Sequence, residues 1–240
     1  MALTSSTLLI TGANRGIGRA LTELALTRGA ARIYAAARDP RSLDALVARG
    51  EGRIVPLTLD VTRPDQIAEA AAQVTSLDLL VNNAGLLSSA GLLSGELDAI
   101  ERDMRTNYFG TLAVTRAFLP ALERTRGSVV NVLTVAALAS MAGLGGYSAS
   151  KAAALSLTQS LRAELGRKGM RVHAVFPGPV DTDMAREITL PKTPPTEVAR
   201  AIFEGIERGD DDIFPDAMAR QVGDVWARAP KEVEKMFAAM

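Results

Sequence analysis

The chain has 240 residues, 27 Lys+Arg balanced by 27 Asp+Glu, 48% hydrophobic residues, one His and no Cys. The absence of Cys excludes a disulfide framework, thiolate metal sites, cysteine nucleophiles and cysteine-ligated iron–sulfur chemistry, and a lone His173 excludes a multi-histidine zinc site within one chain. The apolar share excludes disorder, and the neutral balance argues against nucleic acid or an anionic membrane as the main partner.

In chain order, Thr7–Thr11 reads as a strand that runs into glycines, and residues 16–28 as a helix with apolar residues at helical spacing. Arg32–Ala37 reads as the second strand. Pro40 opens a short helix to residue 48, as a proline at the first helical position does. Residues 54–59 form a third strand, 64–74 a helix and 77–82 a fourth strand. A long helix is expected over residues 97–122, with Gly110 and Pro120 as places where it bends or ends. Residues 128–133 read as a fifth strand, 146–167 as a helix and 170–176 as a sixth strand. A proline-rich loop, 190–195, precedes a helix that starts near Thr196. Residues 212–214 suggest a short strand, followed by helical pieces to Met240.

Gly127 to Ser150 carries no charge, but its Asn, Thr, Ser, Tyr and Gly residues fit a buried strand, a loop and a helix start better than a membrane span. Met1–Ser6 lacks a cationic, apolar leader, which together with the absence of Cys reads as a cytoplasmic protein. Strands alternating with helices predict an α/β fold: one Rossmann-type domain over residues 1–240, doubly wound around a mostly parallel sheet with helices on both faces. Residues 183–240 would add a substrate loop and a C-terminal elaboration.

The loop Thr11-Gly12-Ala13-Asn14-Arg15-Gly16-Ile17-Gly18 joins the first strand to the first helix. Glycines let the backbone turn sharply and approach a pyrophosphate, which sits against the positive end of a helix. The spacing is G-x-x-x-G-x-G, not the general G-x-G-x-x-G, and a ligand-free βα turn would use the same residues. Its place at the first turn of an alternating chain favours the dinucleotide. At the end of the second strand, Ala37 offers nothing to a ribose 2′-hydroxyl. Arg38 suits a 2′-phosphate, and Arg15 supplies a second cation. These residues predict NADP(H) rather than NAD(H). The rival reading places Asp39 on the ribose and leaves Arg38 solvated.

Tyr147 and Lys151 lie four residues apart and so share one helix face. A nearby ammonium lowers a phenol's pKa from its usual value near 10, as would a positive nicotinamide ring, and such a tyrosine exchanges protons as general acid or base. Alone, the pair is equally at home on a solvated helix. With its neighbours it resembles the classical short-chain dehydrogenase/reductase family. The resemblance rests on the glycine loop Gly12 to Gly18, Asp60-Val61, Asn82-Asn83-Ala84-Gly85, Asn107, Tyr147 with Lys151, and Pro177-Gly178-Pro179-Val180-Asp181-Thr182, in that order over about residues 7 to 182.

The resemblance implies that Gly12, Asn14, Arg15, Gly16, Ile17, Gly18, Arg38, Asp60, Val61, Asn83, Ala84, Gly85, Pro177, Gly178, Val180 and Thr182, with Tyr147 and Lys151, hold the cofactor. It implies hydride transfer between NADPH and a carbonyl, Tyr147 as the proton donor and Lys151 on the nicotinamide ribose. Asn107 would position a water that links Lys151 to solvent. Two departures stand out. Thr134 takes the position where the family has a serine, thirteen residues before the tyrosine, and its methyl group crowds the substrate side while its hydroxyl remains. Where many members end in a strand followed by aspartate and paired glycines, Asp212-Ile213-Phe214-Pro215-Asp216 leads into helical sequence, and since that region often forms one tetramer interface in the family, the departure puts tetramer assembly in question. The resemblance implies a homo-oligomer, a dimer or tetramer, acting on a small-molecule carbonyl or alcohol, with no nucleic-acid, membrane or metal partner. Leu86, Leu87, Ala136, Met141 and Leu144 would form an apolar wall, and residues 183–195 a border. Two alternatives are a non-catalytic NADP-binding regulator and a hydrolase or dehalogenase on the same scaffold. His173 reads as a structural histidine, and Asp210-Asp211-Asp212 as a solvated turn without calcium-loop spacing.

Overall fold

A computed structural model describes residues 3–89 and 91–239; Met1, Ala2 and Met240, on which the leader reading and the last helical piece end, lie outside the described residues. Seven parallel strands form one sheet: β1 (Thr7–Thr11), β2 (Arg32–Ala37), β3 (Ile54–Thr58), β4 (Leu79–Asn82), β5 (Ser128–Val132), β6 (Val172–Val175) and β7 (Asp212–Ile213), in the order β3-β2-β1-β4-β5-β6-β7. The helices are α1 (Gly16–Thr27), α2 (Asp44–Arg49), α3 (Pro64–Ala72), α4 (Leu97–Met104), α5 (Thr111–Thr125), α6 (Gly145–Gly166), α7 (Pro195–Arg208), α8 (Ala217–Arg228) and α9 (Pro230–Ala238).

Side chains alternate along each strand, so the sheet feeds two cores. Leu8, Ile10, Ile33, Val81 and Val130 meet Leu21 and Ala25 of α1 and Ile202 and Phe203 of α7 on one face. Leu9, Ala36, Leu80 and Val129 meet Ile67 of α3 and Val114, Phe118 and Leu122 of α5 on the other. A third cluster joins Leu133, Ala174 and Phe176 to Val222 of α8 and Val233 and Phe237 of α9, so the C-terminal helices complete the domain beside its last strands. Strand order reverses between β1 and β4, and in such sheets the crevice beyond the strand ends at the reversal is where ligands bind.

The expected long helix keeps its course, but neither Gly110 nor Pro120 ends it. Residues Arg105–Gly110 form a π-helical turn between α4 and α5. Gly110 closes that turn because a Cβ there would lie 2.8 Å from Val61 Cγ2, so the helix comes close to the connection after β3. Pro120 sits inside α5 with both it and Arg116 exposed, so the carbonyl that its missing N–H would have bonded belongs to the solvent side. β1 and β2 keep the expected limits, and the later strands lie one or two residues inside them.

Candidate active site

The crevice at the reversal is a cavity of about 960 Å³. The glycine loop forms one end. Gly12 and Gly16 hold φ of 65° and 53°, the left-handed region that favours glycine. Gly18 lies behind the wall: a Cβ there would stand 2.2 Å from the Gly12 carbonyl oxygen, so its role is the tight contact of α1 with β1. Thr11 Oγ1 accepts the Asn83 and Ala84 N–H groups at 2.9 Å each, and Asn83 Nδ2 donates to the Thr11 carbonyl at 2.8 Å, which stitches the Asn83-Ala84-Gly85 segment to the loop. No side chain caps the start of α1, so the first-turn N–H groups face the cleft as an anion site requires. Asp60 accepts the Thr62 N–H and hydroxyl at 2.9 and 2.7 Å and, with Val61, lines the same cavity.

At the end of β2, Asp39 is engaged. Its carboxylate takes the Arg41 N–H and guanidinium at 3.1 Å and caps the Pro40–Leu43 turn, which holds its carboxyl below the usual aspartate range. Arg38 is exposed at the rim and makes no ion pair among the described residues. Arg15 also borders the cleft, and Asp183 holds it at 3.2 Å.

Tyr147 and Lys151 project from the first turns of α6 and are both buried, with Lys151 Nζ 5.9 Å from the Tyr147 ring centroid. Lys151 donates to the Val132 carbonyl at the end of β5 at 2.8 Å. Thr134 starts the short Val135–Ala137 turn, and its Oγ1 accepts the Ala136 N–H at 3.3 Å. Asn107 lies in the π-helical turn and stands behind the cavity wall. It donates to the Leu86 carbonyl at 2.8 Å and to Ser150 Oγ at 2.9 Å, and accepts the Leu86 N–H at 2.9 Å. Pro177, Gly178, Val180 and Thr182 form the opposite wall, and Asp216 holds the Gly178 N–H at 2.8 Å. Leu86, Leu87, Ala136, Met141 and Leu144 make the apolar side as expected, and Asp183, Met184, Ile188 and Leu190 border it.

The electrostatics correct one expectation. Burial pushes the Tyr147 pKa well above its ordinary value and the nearby Asp103 carboxylate raises it further, while Thr134 opposes the rise. Burial pushes Lys151 down to about 8, and Asp103 holds it up. The sequence reading missed Asp103, along with Ser88, Ser150, Asp216 and the pocket-lining Phe237 of α9. Asp103 lies four residues before Asn107 and is buried, a burial that its charged helix does not announce in the sequence. His173 is buried, with Nδ1 2.5 Å from the Asp210 carbonyl, far from this constellation in role.

A model of the short-chain dehydrogenase family matches residues 6–193. The chain belongs to the short-chain dehydrogenase family. It is therefore an oxidoreductase acting between an alcohol and a carbonyl. Within the family, it is 35% identical over 224 residues to a 3-oxoacyl-[acyl-carrier-protein] reductase of Thermotoga maritima, covering 85% of this chain and 91% of that protein. An uncharacterized oxidoreductase of Myxococcus xanthus is 36% identical over 221 residues, 87% of each chain. The crystal structure of a short-chain dehydrogenase from Burkholderia cenocepacia in complex with NADP superposes with a TM-score of 0.93 at 36% identity over 99% of both chains. That likeness covers the C-terminal segment that departs from the family pattern.

Proposed function

We propose that this short-chain dehydrogenase reduces hydrophobic ketones or aldehydes with NADPH, and oxidises the matching alcohols in reverse, with Tyr147 as general acid and base. The observation that carries the reading is that Tyr147, Lys151 and Thr134 open onto the same cavity as the glycine loop, with Arg38 unpaired at its rim. Asp39 is occupied by Arg41, which favours a 2′-phosphate over a free ribose diol, and the NADP in the Burkholderia structure supports the same choice.

A bound NADPH supplies the hydride. Tyr147 gives its proton to the carbonyl oxygen, and burial keeps that proton on the phenol until the oxygen gains charge. Thr134 donates its hydroxyl proton to the same oxygen and stabilises the developing alkoxide. Lys151 holds a positive charge beside the phenol, which stabilises the phenolate once the proton has left. Asn107 fixes Leu86 and Ser150 on either side of that pair. The apolar wall excludes water and selects a hydrophobic substrate. A cytoplasmic homo-oligomer, dimer or tetramer, belongs to the same proposal.

The test is NADPH-dependent turnover of a panel of alkyl and aryl ketones and aldehydes. Tyr147→Phe is expected to lower kcat by about a hundredfold or more while NADPH still binds. Undiminished turnover in that variant would overturn the assignment, and NADPH binding without turnover of any carbonyl by the unmodified protein would favour the regulatory alternative.

A further inference from the structure

Helix α9 turns two fully buried side chains inward. Val233 and Phe237 lie four residues apart and so share one face, and both have 0% exposure. The other face is charged: Lys231 pairs with Glu234 at 2.6 Å and Lys235 with Glu232 at 2.8 Å. Burial in the cluster beside the last strands explains both residues as anchors of an amphipathic helix. It does not explain the difference between them. Phe237 lines the active-site cavity, and Val233 does not.

Phe237 lies at the substrate end of that cavity. Leu133, Val135 and Met141 line the cavity around Thr134 and pack in the same cluster as Phe237. The opposite end, with Ala37 and Val61, is built on the two sheet cores. Helix α8 stands directly behind the Gly178 wall: a Cβ on Gly178 would lie 3.4 Å from both Cβ and Sδ of Met218. Helix α9 packs in turn against α8. Among the described residues, Phe237 is the one cavity-lining side chain that comes from these C-terminal helices. The wall there is stiff. Phe176 and Phe214 stack within the same cluster with ring centroids 5.0 Å apart, and a close-packed interior does not swell to admit an extra group.

We propose that Phe237 is a specificity-determining residue: its ring is the end-stop of the substrate half of the cavity and sets the longest hydrophobic tail that fits when the carbonyl rests on Tyr147 and Thr134. The proposal rests on the reading of this cavity as the site of a hydrophobic carbonyl. The side-chain chemistry suits the role. A benzyl group offers apolar surface and no hydrogen bond, so it favours a hydrocarbon tail over a polar one. Each methylene added up to the stop buries more apolar surface and is worth about a fourfold gain in affinity. A carbon beyond the stop meets a packed cluster and costs affinity. The substrate's tail is thus read by a helix that carries none of the groups that hold the cofactor or move the proton.

The test measures binding and turnover in parallel. Primary amides from butanamide to nonanamide present a carbonyl to Tyr147 and Thr134 but accept no hydride, so their calorimetric titration into the NADP-loaded protein reads the length of the cavity without chemistry. In the unmodified protein, affinity should rise with each methylene, reach a maximum and then fall. Phe237→Leu should move the maximum to a longer amide by about one or two carbons, and Phe237→Ala by about three, because truncation leaves a cavity in a core that relaxes only in part. The leucine variant keeps an apolar anchor and decides the matter if the alanine variant does not fold. Val233→Ala removes packing from the same helix face without touching the cavity, and its maximum should stay at the amide preferred by the unmodified protein. The kcat/KM values for the matching methyl alkyl ketones should shift in the same pattern. An unchanged maximum in Phe237→Leu and in any folded Phe237→Ala overturns the proposal. So does a shift as large in Val233→Ala, because displacement of the helix and not the ring would then set the length. Amides that bind the unmodified protein without a maximum, or not at all, overturn it as well. The titration decides the end-stop even if no ketone is reduced, and reduction of ketones with no shift would sink the end-stop alone, so the two readings fail separately.

Discussion

Thr134 shows how much a single atom decides. Its hydroxyl oxygen accepts the Ala136 N–H and still has a proton to donate, and its methyl group restricts χ1 where a serine would be free. Thr134→Ser keeps the donor and should retain turnover within about threefold. Thr134→Val keeps the shape, removes the donor and should cost about a hundredfold in kcat, as deletion of an oxyanion donor does; an active valine variant would show that another group polarises the carbonyl. Arg38 acts on the cofactor instead. Removing a charge-assisted contact to a 2′-phosphate should raise KM for NADPH by about ten- to a hundredfold in Arg38→Ala and leave KM for NADH nearly unchanged. Equal losses with both cofactors would place Arg38 elsewhere. Thr134 is expected from the resemblance to the family pattern, and Arg38 from its place just after β2. Asp103 is not, because an acid in a helix rich in charge reads as solvated until α4 is laid against α6. The same holds for Tyr147: the lysine beside the phenol can be read from the sequence, and the burial that raises its pKa cannot.

At the scale of elements, the alternation of apolar strands and periodic helices predicts the sheet well, since both faces of a parallel sheet are buried and leave a clear apolar signature. Two features escape it. The π-helical turn at Arg105–Gly110 has no sequence period of its own; it shows only when the close contact of Gly110 with Val61 and the bond from Thr111 Oγ1 to the Asn107 carbonyl, at 2.8 Å, are seen together. The second is the tie between the Pro177-Gly178 turn and α8. Asp216 caps α8 by accepting the Ala219 N–H at 2.8 Å and holds the Gly178 N–H with its other oxygen. A C-terminal helix thus steadies a wall of the cofactor cleft. Asp216→Ala removes a cap and leaves the Gly178 N–H without its partner, so urea unfolding should show a loss of about 2 kcal/mol. KM for NADPH should rise in the same variant. A stability loss with unaltered cofactor KM would confine Asp216 to capping.

For the whole molecule, the catalytic pair carries a stability cost that depends on pH. Lys151 is buried, and its folded pKa of about 8 lies below the ordinary lysine value of 10.5. Below pH 8 the lysine is charged in both states, and burial of that charge destabilises the fold. Between about 8 and 10.5 the folded protein has released the proton while the unfolded chain still binds it, so stability from this group rises with pH through that window. The full difference is about 3 kcal/mol. Tyr147 acts in the opposite sense at higher pH: its raised pKa means that the unfolded chain ionises first, and stability falls above about 10. Lys151→Met keeps the length of the side chain and removes the charge, although it leaves the Val132 carbonyl without its donor. Urea unfolding of both proteins without cofactor, from pH 7 to 10, should find the variant gaining most at pH 7 and its advantage shrinking by most of that difference as pH approaches 10. A gap between the two proteins that does not change across this range would mean that the fold does not penalise the ammonium.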